Sequence, residues 1–311
     1  MAIASRPYNN RDDLHKIQAA TADWIASAGF CGYLHVGDLA LRLFNGMRRY
    51  NPHEIVRLWE AEDGSLLGWS IIYPRWNSYD ALLHPAHRGD ELEGQLLDGC
   101  EQAVLAWMQK EDRAESPISL DVFAEDVNRI TALEQRGYVR GEQHHVIGVR
   151  SLDEPIPDVS LPQGFSVRPV EGLHEADKLI EAQNASFGWS WTLEDYLQVM
   201  QSPANELAEP LVIVAPDGRF ASFCYLMLDE KNKIGMFEDV GTHPDFQRKG
   251  FGRALLYAGL GRLKAQGMVT TYMPYNSSLE AASALYNLVG FRVGYRHIQY
   301  TRKIADQTVI K

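Results

Sequence analysis

The chain has 311 residues, which exceeds the usual size of one domain, so two domains of about 150 residues each are expected. Its formal net charge of -11 argues against a nucleic-acid partner, because nucleic-acid binding calls for a basic face. No apolar run approaches the roughly 18 residues that a membrane span needs, and Cys31, Cys100 and Cys224 are too widely separated to suggest disulfides or a structural zinc site.

These features predict a cytoplasmic protein in a reducing compartment, with no membrane partner and no metal. The sequence does not decide between a monomer and a homodimer.

Four short sequence landmarks recur in the same order in both halves of the chain. They are an Arg-Pro pair, an Asp-Gly pair between apolar runs, a His-Pro pair and a Gly-aromatic pair. The first half has Arg6-Pro7, Asp63-Gly64, His84-Pro85 and Gly137-Tyr138, and the second has Arg168-Pro169, Asp217-Gly218, His243-Pro244 and Gly290-Phe291. Asp-Gly between apolar runs predicts a β-hairpin. We therefore predict a tandem repeat of one α+β domain, with domains at 1–150 and 165–311 and a Pro-rich, acidic linker at 151–164.

The second half contains a strand, a glycine-rich loop and a helix in immediate succession. Residues 233–242 predict the strand, and residues 253–266 place leucines at helical spacing before Gly267. Between them, Gly250 and Gly252 permit a tight turn whose amides converge on an anion at the positive end of the helix. A P-loop and a dinucleotide fingerprint are excluded on residue type, because Arg253-Ala254 and Leu255 stand where those motifs need other residues. The pattern predicts a pyrophosphate cradle.

These residues resemble a known family. Residues 247–252, preceded by the strand and Thr242-His243-Pro244, are similar to the acetyl-CoA motif of the GNAT acetyltransferase superfamily. Downstream, residues 284–291 keep the Leu-Tyr-x-x-x-Gly-Phe spacing of its second signature, whereas Asn276 lies further from Tyr286 than this family usually places it. The resemblance implies a mixed, mainly antiparallel central sheet flanked by helices in each of two tandem GNAT-like domains. The layout is also similar to that of the mycothiol synthases, which acetylate a cysteinyl amine, although no acceptor residue carries that similarity.

The resemblance implies acetyl-CoA as the co-substrate. In this family the strand before the loop splays from its neighbour and offers backbone groups to the coenzyme. The implied donor-binding residues are Val240, Gly241, Thr242, Gln247, Arg248, Lys249, Gly250, Phe251, Gly252, Arg253 and Asn276.

Two carboxylates at the end of this strand are candidates for the base that deprotonates the acceptor amine. Strand alternation predicts that Glu238 shares a face with Val240 and Thr242, while Asp239 points the other way. An Asp is present at the second position in both halves, but a Glu at the first position occurs only in the half with the intact cradle. We therefore predict Glu238 as the base and Asp239 as structural, with a simple ion-pairing role for Glu238 as the alternative.

The resemblance also implies that Tyr286 protonates the leaving thiolate, because the family commonly uses the Tyr of its second signature for this step. Helical spacing alone would make Tyr286 a core aromatic residue. The corresponding position of the first half is Leu133, which favours the functional role.

The first half has lost the cradle in an ungapped alignment of His84 on His243. Glu91 then falls on Gly250 and Glu93 on Gly252, and carboxylates at those positions repel a phosphate. We predict that this half is structural and that its two glutamates are solvated, with cation binding as a less favoured alternative.

An aromatic group follows the first helix of the second half, where GNAT enzymes place their acceptor loop. Trp189, Trp191 and Tyr196 are expected either to line the acceptor pocket or to pack against the first domain. Asp195 and Glu206 are expected at a negative rim or simply in solvent.

The sequence thus predicts an N-acetyltransferase that acts on the primary amine of a small molecule, such as an amino sugar, an aminoglycoside or an amino-acid derivative. Two alternatives stay open. One is a peptide or protein N-acetyltransferase, and the other is a non-catalytic acyl-CoA sensor.

Overall fold

The structure is a computed structural model that describes residues 4–113, 116–142, 145–200 and 208–304. The chain divides into two compact units. Unit 1 holds Met1–Leu34, Arg49–His145 and Tyr295–Lys311, and unit 2 holds His35–Arg48 and Val146–Gly294. These bounds differ from the predicted domains 1–150 and 165–311, because a segment of the first half belongs to unit 2 and the last strand continues into unit 1.

In chain order the strands are β1 (Ala4–Pro7), β2 (Val56–Glu60), β3 (Leu66–Tyr73), β4 (Ser78–Leu83), β5 (Ile118–Phe123), β6 (Val139–Arg140), β7 (His145–Ser151), β8 (Ser166–Pro169), β9 (Ala208–Val214), β10 (Phe220–Asp229), β11 (Ile234–Thr242), β12 (Thr270–Asn276) and β13 (Arg292–Arg302). The α-helices are α1 (Arg11–Ala28), α2 (Val36–Leu41), α3 (Pro52–Ile55), α4 (Glu91–Lys110), α5 (Val127–Gln135), α6 (Ala176–Phe187), α7 (Leu193–Met200), α8 (Phe251–Ala265) and α9 (Glu280–Val289), and a π-helix spans Arg42–Gly46. Among the helices of the described residues, none has both the length and the apolar character that a membrane span requires.

Each unit is built on a mixed, mainly antiparallel sheet, which confirms the predicted fold class. Unit 1 has the strand order β1-β2-β3-β4-β5, and β13 pairs with β5 through its C-terminal part. Unit 2 has the order β8-β9-β10-β11-β12-β7, in which β8 to β11 are antiparallel and β11 pairs with β12 in parallel. The predicted turns at Gly64 and Gly218 connect antiparallel strands, and both glycines have positive φ, 80° and 83°.

The repeat predicted from the landmarks extends to individual side-chain contacts. In unit 1, Arg6 donates two hydrogen bonds to Asp13, at 2.6 and 2.7 Å. In unit 2, Arg168 donates two to Glu175, also seven residues on, at 2.6 and 2.8 Å. In each half, an arginine of the first strand thus forms a bidentate ion pair with a carboxylate seven residues further on. The two halves therefore share one local architecture here.

The sheet of unit 2 is covered on both faces. Leu255, Leu256 and Leu260 of α8 pack with Phe237 in one buried cluster. On the opposite face, Leu179 of α6 packs with Phe223 and Tyr225 in a second cluster. The predicted linker is not a free connection, because its apolar side chains contact the first of these clusters. They are Leu152, Ile156, Val159 and Leu161.

Helix α4 of unit 1 begins with a buried carboxylate rather than a solvated one. Only Glu91 is exposed as predicted, since Glu93 is 1% exposed. The Glu93 carboxylate accepts a 2.6 Å hydrogen bond from the Gly89 amide and another of 2.6 Å from Nε of Arg129. A buried carboxylate needs hydrogen-bond partners, and the Gly89 amide and the Arg129 guanidinium supply them here.

We expect Glu93→Gln to lower the free energy of unfolding of unit 1 by about 3–5 kcal/mol, because it removes the carboxylate to which the buried Arg129 guanidinium donates. Chemical denaturation followed by circular dichroism measures this change. Glu91→Gln is the matched control on the exposed side of the same helix turn and should shift stability by less than about 0.5 kcal/mol. Equal effects of the two substitutions would contradict a structural role for Glu93.

Candidate functional site

The two parallel strands β11 and β12 separate part of the way along unit 2. Among the described residues, their pairing runs from Ile234 with Thr270 to Met236 with Tyr272. Both strands then continue, β11 to Thr242 and β12 to Asn276, without further pairing to each other. The result is a V-shaped opening in the sheet, in which backbone groups along this edge of β11 are not paired with β12 and are candidates to bind a ligand.

A β-bulge on β11 lies beside this opening. Tyr225 pairs with Glu238 and Phe223 with Gly241, so β11 has one residue more than β10 across this step. Asp239 takes up the extra residue in the left-handed region, at φ 48°. The bulge interrupts strict alternation, so the predicted shared face of Glu238, Val240 and Thr242 is wrong. Val240 packs against the cluster under α8, whereas Glu238 pairs with Tyr225 of the cluster under α6.

The glycine-rich loop leads directly into the N-terminus of α8. Gly250 is the N-cap residue at φ 82°, and the first intrahelical hydrogen bond runs from the Ala254 amide to the Gly250 carbonyl at 3.1 Å. The helix therefore begins at Phe251, two residues before the predicted start at 253. Arg248 also has positive φ, 65°, and is exposed. The first-turn amides precede the helical ladder, so they and the positive end of the dipole are available to an anion.

The two glycines of the loop have different tasks. A Cβ on Gly250 would meet no atom within 4 Å, but its positive φ favours glycine. A Cβ on Gly252 would lie 3.2 Å from the Leu285 side chain, so Gly252 lets α8 approach α9. Gly250 thus shapes the loop, and Gly252 shapes the packing behind it.

The ungapped alignment of the two loops is off by one residue. Asp90 is the N-cap of α4 as Gly250 is of α8, which places Glu93 on Arg253 rather than on Gly252. The loop of unit 1 is one residue shorter. Its helix start is also occupied, because the Asp90 side chain accepts a 2.8 Å hydrogen bond from the Leu92 amide. The prediction that unit 1 lacks the cradle stays a prediction, and its physical reason is now that the protein's own carboxylates bond to the amides at the helix start.

The other residues predicted to bind the acetyl donor lie in the loop before α8, in its first turn and at the end of β12. The Gln247 side-chain amide donates to the Thr242 carbonyl at 3.2 Å, and the Lys249 ammonium donates to the Asp245 carbonyl at 2.9 Å. Arg253 is exposed on the first turn of α8. Asn276 ends β12, and its side-chain oxygen accepts hydrogen bonds from both the amide and the hydroxyl of Ser278. Asn276 therefore shapes the turn on the far arm of the V.

Glu238 and Asp239 of β11 interact electrostatically with a third carboxylate, that of Asp38. Burial raises the pKa of Glu238 well above its usual value, and the charges of Asp38 and Asp239 raise it further. Burial together with the charge of Asp38 raises the pKa of Asp239 to about 6. Asp239 Oδ2 is buried and has no hydrogen-bond partner within the described part of the chain. Raised pKa values of this kind cluster at functional sites, so Glu238 and Asp239 are candidates for groups that accept a proton.

Asp38 was not predicted from the sequence, because it lies in the first half, 200 positions before Glu238. It is on α2, which belongs to unit 2, and it is 8% exposed. Nε of Arg42 donates to Asp38 at 2.6 Å, and the same Arg42 charge lowers the pKa of Glu238 in part. The one sequence feature that could have drawn attention to Asp38 is the short helix-forming stretch around it, because none of the repeat landmarks includes this stretch.

Tyr286 lies at the same opening. It is 8% exposed on α9, and its ring packs edge-on against Tyr275 at 5.0 Å between ring centroids. Burial and the charge of Glu238 raise the pKa of Tyr286 to about 12. The two predicted catalytic residues are therefore within electrostatic range of each other, and the phenol keeps its proton at neutral pH.

The predicted aromatic acceptor residues separate into two groups. Trp191 and Tyr196 are 9% and 2% exposed and belong to the cluster under α6. Trp189 is 37% exposed and packs on Phe187 at 4.5 Å between ring centroids. Of the three, Trp189 is the side chain with a large accessible face. Glu206 lies outside the described residues.

A family model described as "Acetyltransferase (GNAT) family" matches residues 176–291. The mycothiol acetyltransferase of Segniliparus rotundus is 24% identical over 282 residues, covering 82% of this chain and 98% of the relative. The mycothiol acetyltransferase of Nocardia farcinica is 28% identical over 301 residues, covering 91% of this chain and 90% of the relative.

Solved structures share the fold over nearly the whole chain. A GCN5-related N-acetyltransferase from Sphaerobacter thermophilus has a TM-score of 0.62 at 22% identity, covering 97% of this chain and 95% of the other. A tandem GNAT protein from the clavulanic acid biosynthesis pathway has a TM-score of 0.65 at 15% identity, covering 97% and 98%. The family match and the mycothiol acetyltransferase relatives support an N-acetyltransferase enzyme with a GNAT domain at residues 176–291, and the solved structures show that the fold of tandem GNAT proteins extends over nearly the whole chain.

Proposed function

We propose that this protein transfers the acetyl group of acetyl-CoA to a primary amine of a small molecule by direct attack. The observation that carries this proposal is the pairing, at one opening in the sheet, of a carboxylate with a raised pKa and a protonated phenol, Glu238 and Tyr286. The mycothiol acetyltransferase relatives support a small acceptor, and a cysteinyl amine is the first candidate.

The donor binds along β11 and at the start of α8. The pyrophosphate binds to the amides from Gln247 to Gly252 and to the exposed Arg248 and Arg253. The positive helix end and the two guanidinium groups both attract its negative charge. The pantetheine arm follows the free edge of β11 from Val240 to Thr242. An amide of this edge polarises the thioester carbonyl, a contribution of about 3 kcal/mol when the donor is preorganised.

The reaction requires a base for the acceptor ammonium and an acid for the leaving thiolate. Glu238 removes a proton from the acceptor ammonium, directly or through water, and the nitrogen lone pair then forms a bond to the thioester carbon. The tetrahedral intermediate collapses with cleavage of the carbon–sulfur bond. As the amide forms, the attacking nitrogen loses its second proton to solvent, and Tyr286 donates its own proton to the departing thiolate. Solvent then reprotonates Tyr286 and takes up the proton held by Glu238.

Asp38 and Asp239 hold the ammonium before it is deprotonated. Their negative charges favour a cation at the opening, and the same charges raise the pKa of Glu238 toward the range in which it works as a base. Trp189 contributes an accessible aromatic face near this acceptor side. A non-catalytic acyl-CoA sensor has no use for a raised-pKa carboxylate and a phenol at the same opening, so the arrangement favours an enzyme.

Removing the two catalytic groups should lower turnover without loss of the donor. We expect Tyr286→Phe and Glu238→Gln each to reduce kcat by about 10²-fold, the usual size of a general acid or base contribution. Titration calorimetry should show acetyl-CoA affinity within about twofold of wild type, since the cradle is untouched. Acetylated product measured by mass spectrometry over a panel of D-glucosamine, kanamycin and L-cysteinamide gives kcat. Unchanged turnover in either variant would remove that residue from the mechanism.

The proposed pyrophosphate cradle is tested by placing at Gly250 the carboxylate that unit 1 has at the corresponding N-cap position. Gly250→Asp imitates Asp90, and we expect acetyl-CoA affinity to fall by about tenfold or more, the equivalent of roughly 1.4 kcal/mol. The new carboxylate competes with the pyrophosphate for the first-turn amides and repels it. Gly250→Asn is the matched control, because Asn also tolerates positive φ but carries no charge. If Gly250→Asp retains wild-type affinity in calorimetry, the cradle assignment fails.

The pH dependence of kcat/KM tests the coupling between Asp38 and Glu238. A base with a raised pKa loses activity as the pH falls through that pKa, so the profile has an ascending limb. Asp38→Asn removes a negative charge that raises the pKa of Glu238, and the limb should therefore move to lower pH by up to about one unit. Glu280→Gln, at an exposed position of the same unit, should leave the limb in place. A limb at the same pH in Asp38→Asn and wild type would show that the two groups are not coupled.

A further inference from the structure

The segment His35–Arg48, here called the strap, reaches unit 2 from the first half of the chain. Its N-terminal end is fixed on the sheet. Nε2 of His35 donates to the Ile234 carbonyl at 3.1 Å, while its Nδ1 accepts from the Gly37 amide at 3.2 Å. A Cβ on Gly37 would lie 2.8 Å from the Met227 side chain, so the strap lies directly on β10. This end of the strap carries Asp38 to the carboxylate cluster.

The C-terminal end of the strap holds the aromatic loop between α6 and α7. The Arg48 guanidinium lies over the Trp191 ring, 4.2 Å from its centroid. Nε of Arg48 also donates to Asp195 Oδ1 at 3.2 Å, and Nη1 donates to the Asn45 carbonyl at the end of the π-helix. Both members of the ion pair are mostly buried, with side chains 19% and 22% exposed. A stacked and ion-paired arginine fixes the distance between the strap and the loop.

Asp195 connects this contact to the internal structure of the loop. Its second oxygen accepts hydrogen bonds from the amide and the hydroxyl of Thr192, both at 3.0 Å, at the start of α7. Trp191 is itself bound through its backbone to the side chain of Asn184 on α6, by two hydrogen bonds of 2.9 Å. One carboxylate therefore both caps α7 and receives Arg48, so the loop cannot shift without breaking the contact with the strap.

We propose that Arg48 is a positioning residue for the acceptor, and this inference rests on the proposed function. The strap places Asp38 at the ammonium end of the acceptor site, and Arg48 sets the position of the loop that carries Trp189. The distance between the ammonium subsite and the aromatic face is thereby fixed by one segment. Arg48 selects acceptors by size and contributes nothing to the bonds that form or break.

The test compares Arg48→Ala with wild type in steady-state kinetics on the amine of the panel of D-glucosamine, kanamycin and L-cysteinamide that wild type acetylates fastest. We expect KM for the amine to rise about tenfold, in line with the loss of a partly desolvated cation–π contact. The kcat and the Kd for acetyl-CoA should stay within about twofold. Arg48→Lys keeps the charge but not the planar fork, and it should restore part of the lost affinity. A KM within twofold of wild type, or a loss confined to kcat, overturns the proposal.

The protein offers a matched control for this test. Arg75 of unit 1 also lies over a tryptophan, Trp76, at 5.9 Å, but both side chains are exposed. Arg75→Ala should leave all three constants unchanged. If Arg48→Ala fails to fold, Asp195→Asn removes the charge of the partner and should raise KM by a smaller factor, while an unchanged KM again overturns the proposal. A wild-type protein that acetylates no amine of the panel refutes the proposed small-amine acceptor, whereas an active wild type with an unaffected Arg48→Ala refutes only the role of Arg48.

Discussion

The end of backbone pairing between β11 and β12 after Met236 and Tyr272 is the constraint on which the rest of the site depends. Polar backbone groups beyond this point need partners from elsewhere. Side chains satisfy some of them, since the Ser222 hydroxyl donates to the Gly241 carbonyl at 2.6 Å and Gln247 donates to that of Thr242. The bulge at Asp239 then changes which face of the sheet the following side chains lie on, so that Glu238 and Val240 lie on opposite faces.

The two halves show two ways of satisfying the same helix start. In unit 1 the amides around the start of α4 bind the protein's own carboxylates, Asp90 and Glu93. In unit 2 the start of α8 has Gly250 and Arg253 at the corresponding places, which provide no internal anion. A helix N-terminus favours negative charge in either case, so the difference lies only in whether the anion is built in or arrives as a ligand.

The sequence was sufficient for the fold class, the tandem repeat, both hairpins and the loop before α8, because each depends on local spacing that is visible along the chain. The sequence did not predict which residues correspond where a single inserted or missing residue shifts the strand pairing or the alignment of the two halves. The bulge at Asp239 reverses the face of Val240, and the one-residue shorter loop of unit 1 moves Glu93 from Gly252 to Arg253. Asp38 and Arg48 were missed for a different reason, since no local pattern indicates that a segment of the first half joins the second unit.

The electrostatics of the opening favour a cationic acceptor. The charge of Asp38 raises the pKa of both Glu238 and Asp239, and the charge of Arg42 offsets part of the effect on Glu238. Without a ligand, the least costly arrangement is protonation, which is what the raised pKa values express. In the mechanism we propose, an ammonium bound beside these carboxylates lowers their pKa values and leaves Glu238 ionised, so that it can accept a proton. The carboxylates that attract the acceptor and the one that activates it would then belong to one coupled cluster, and the net charge of -11 would add a long-range attraction for a cation.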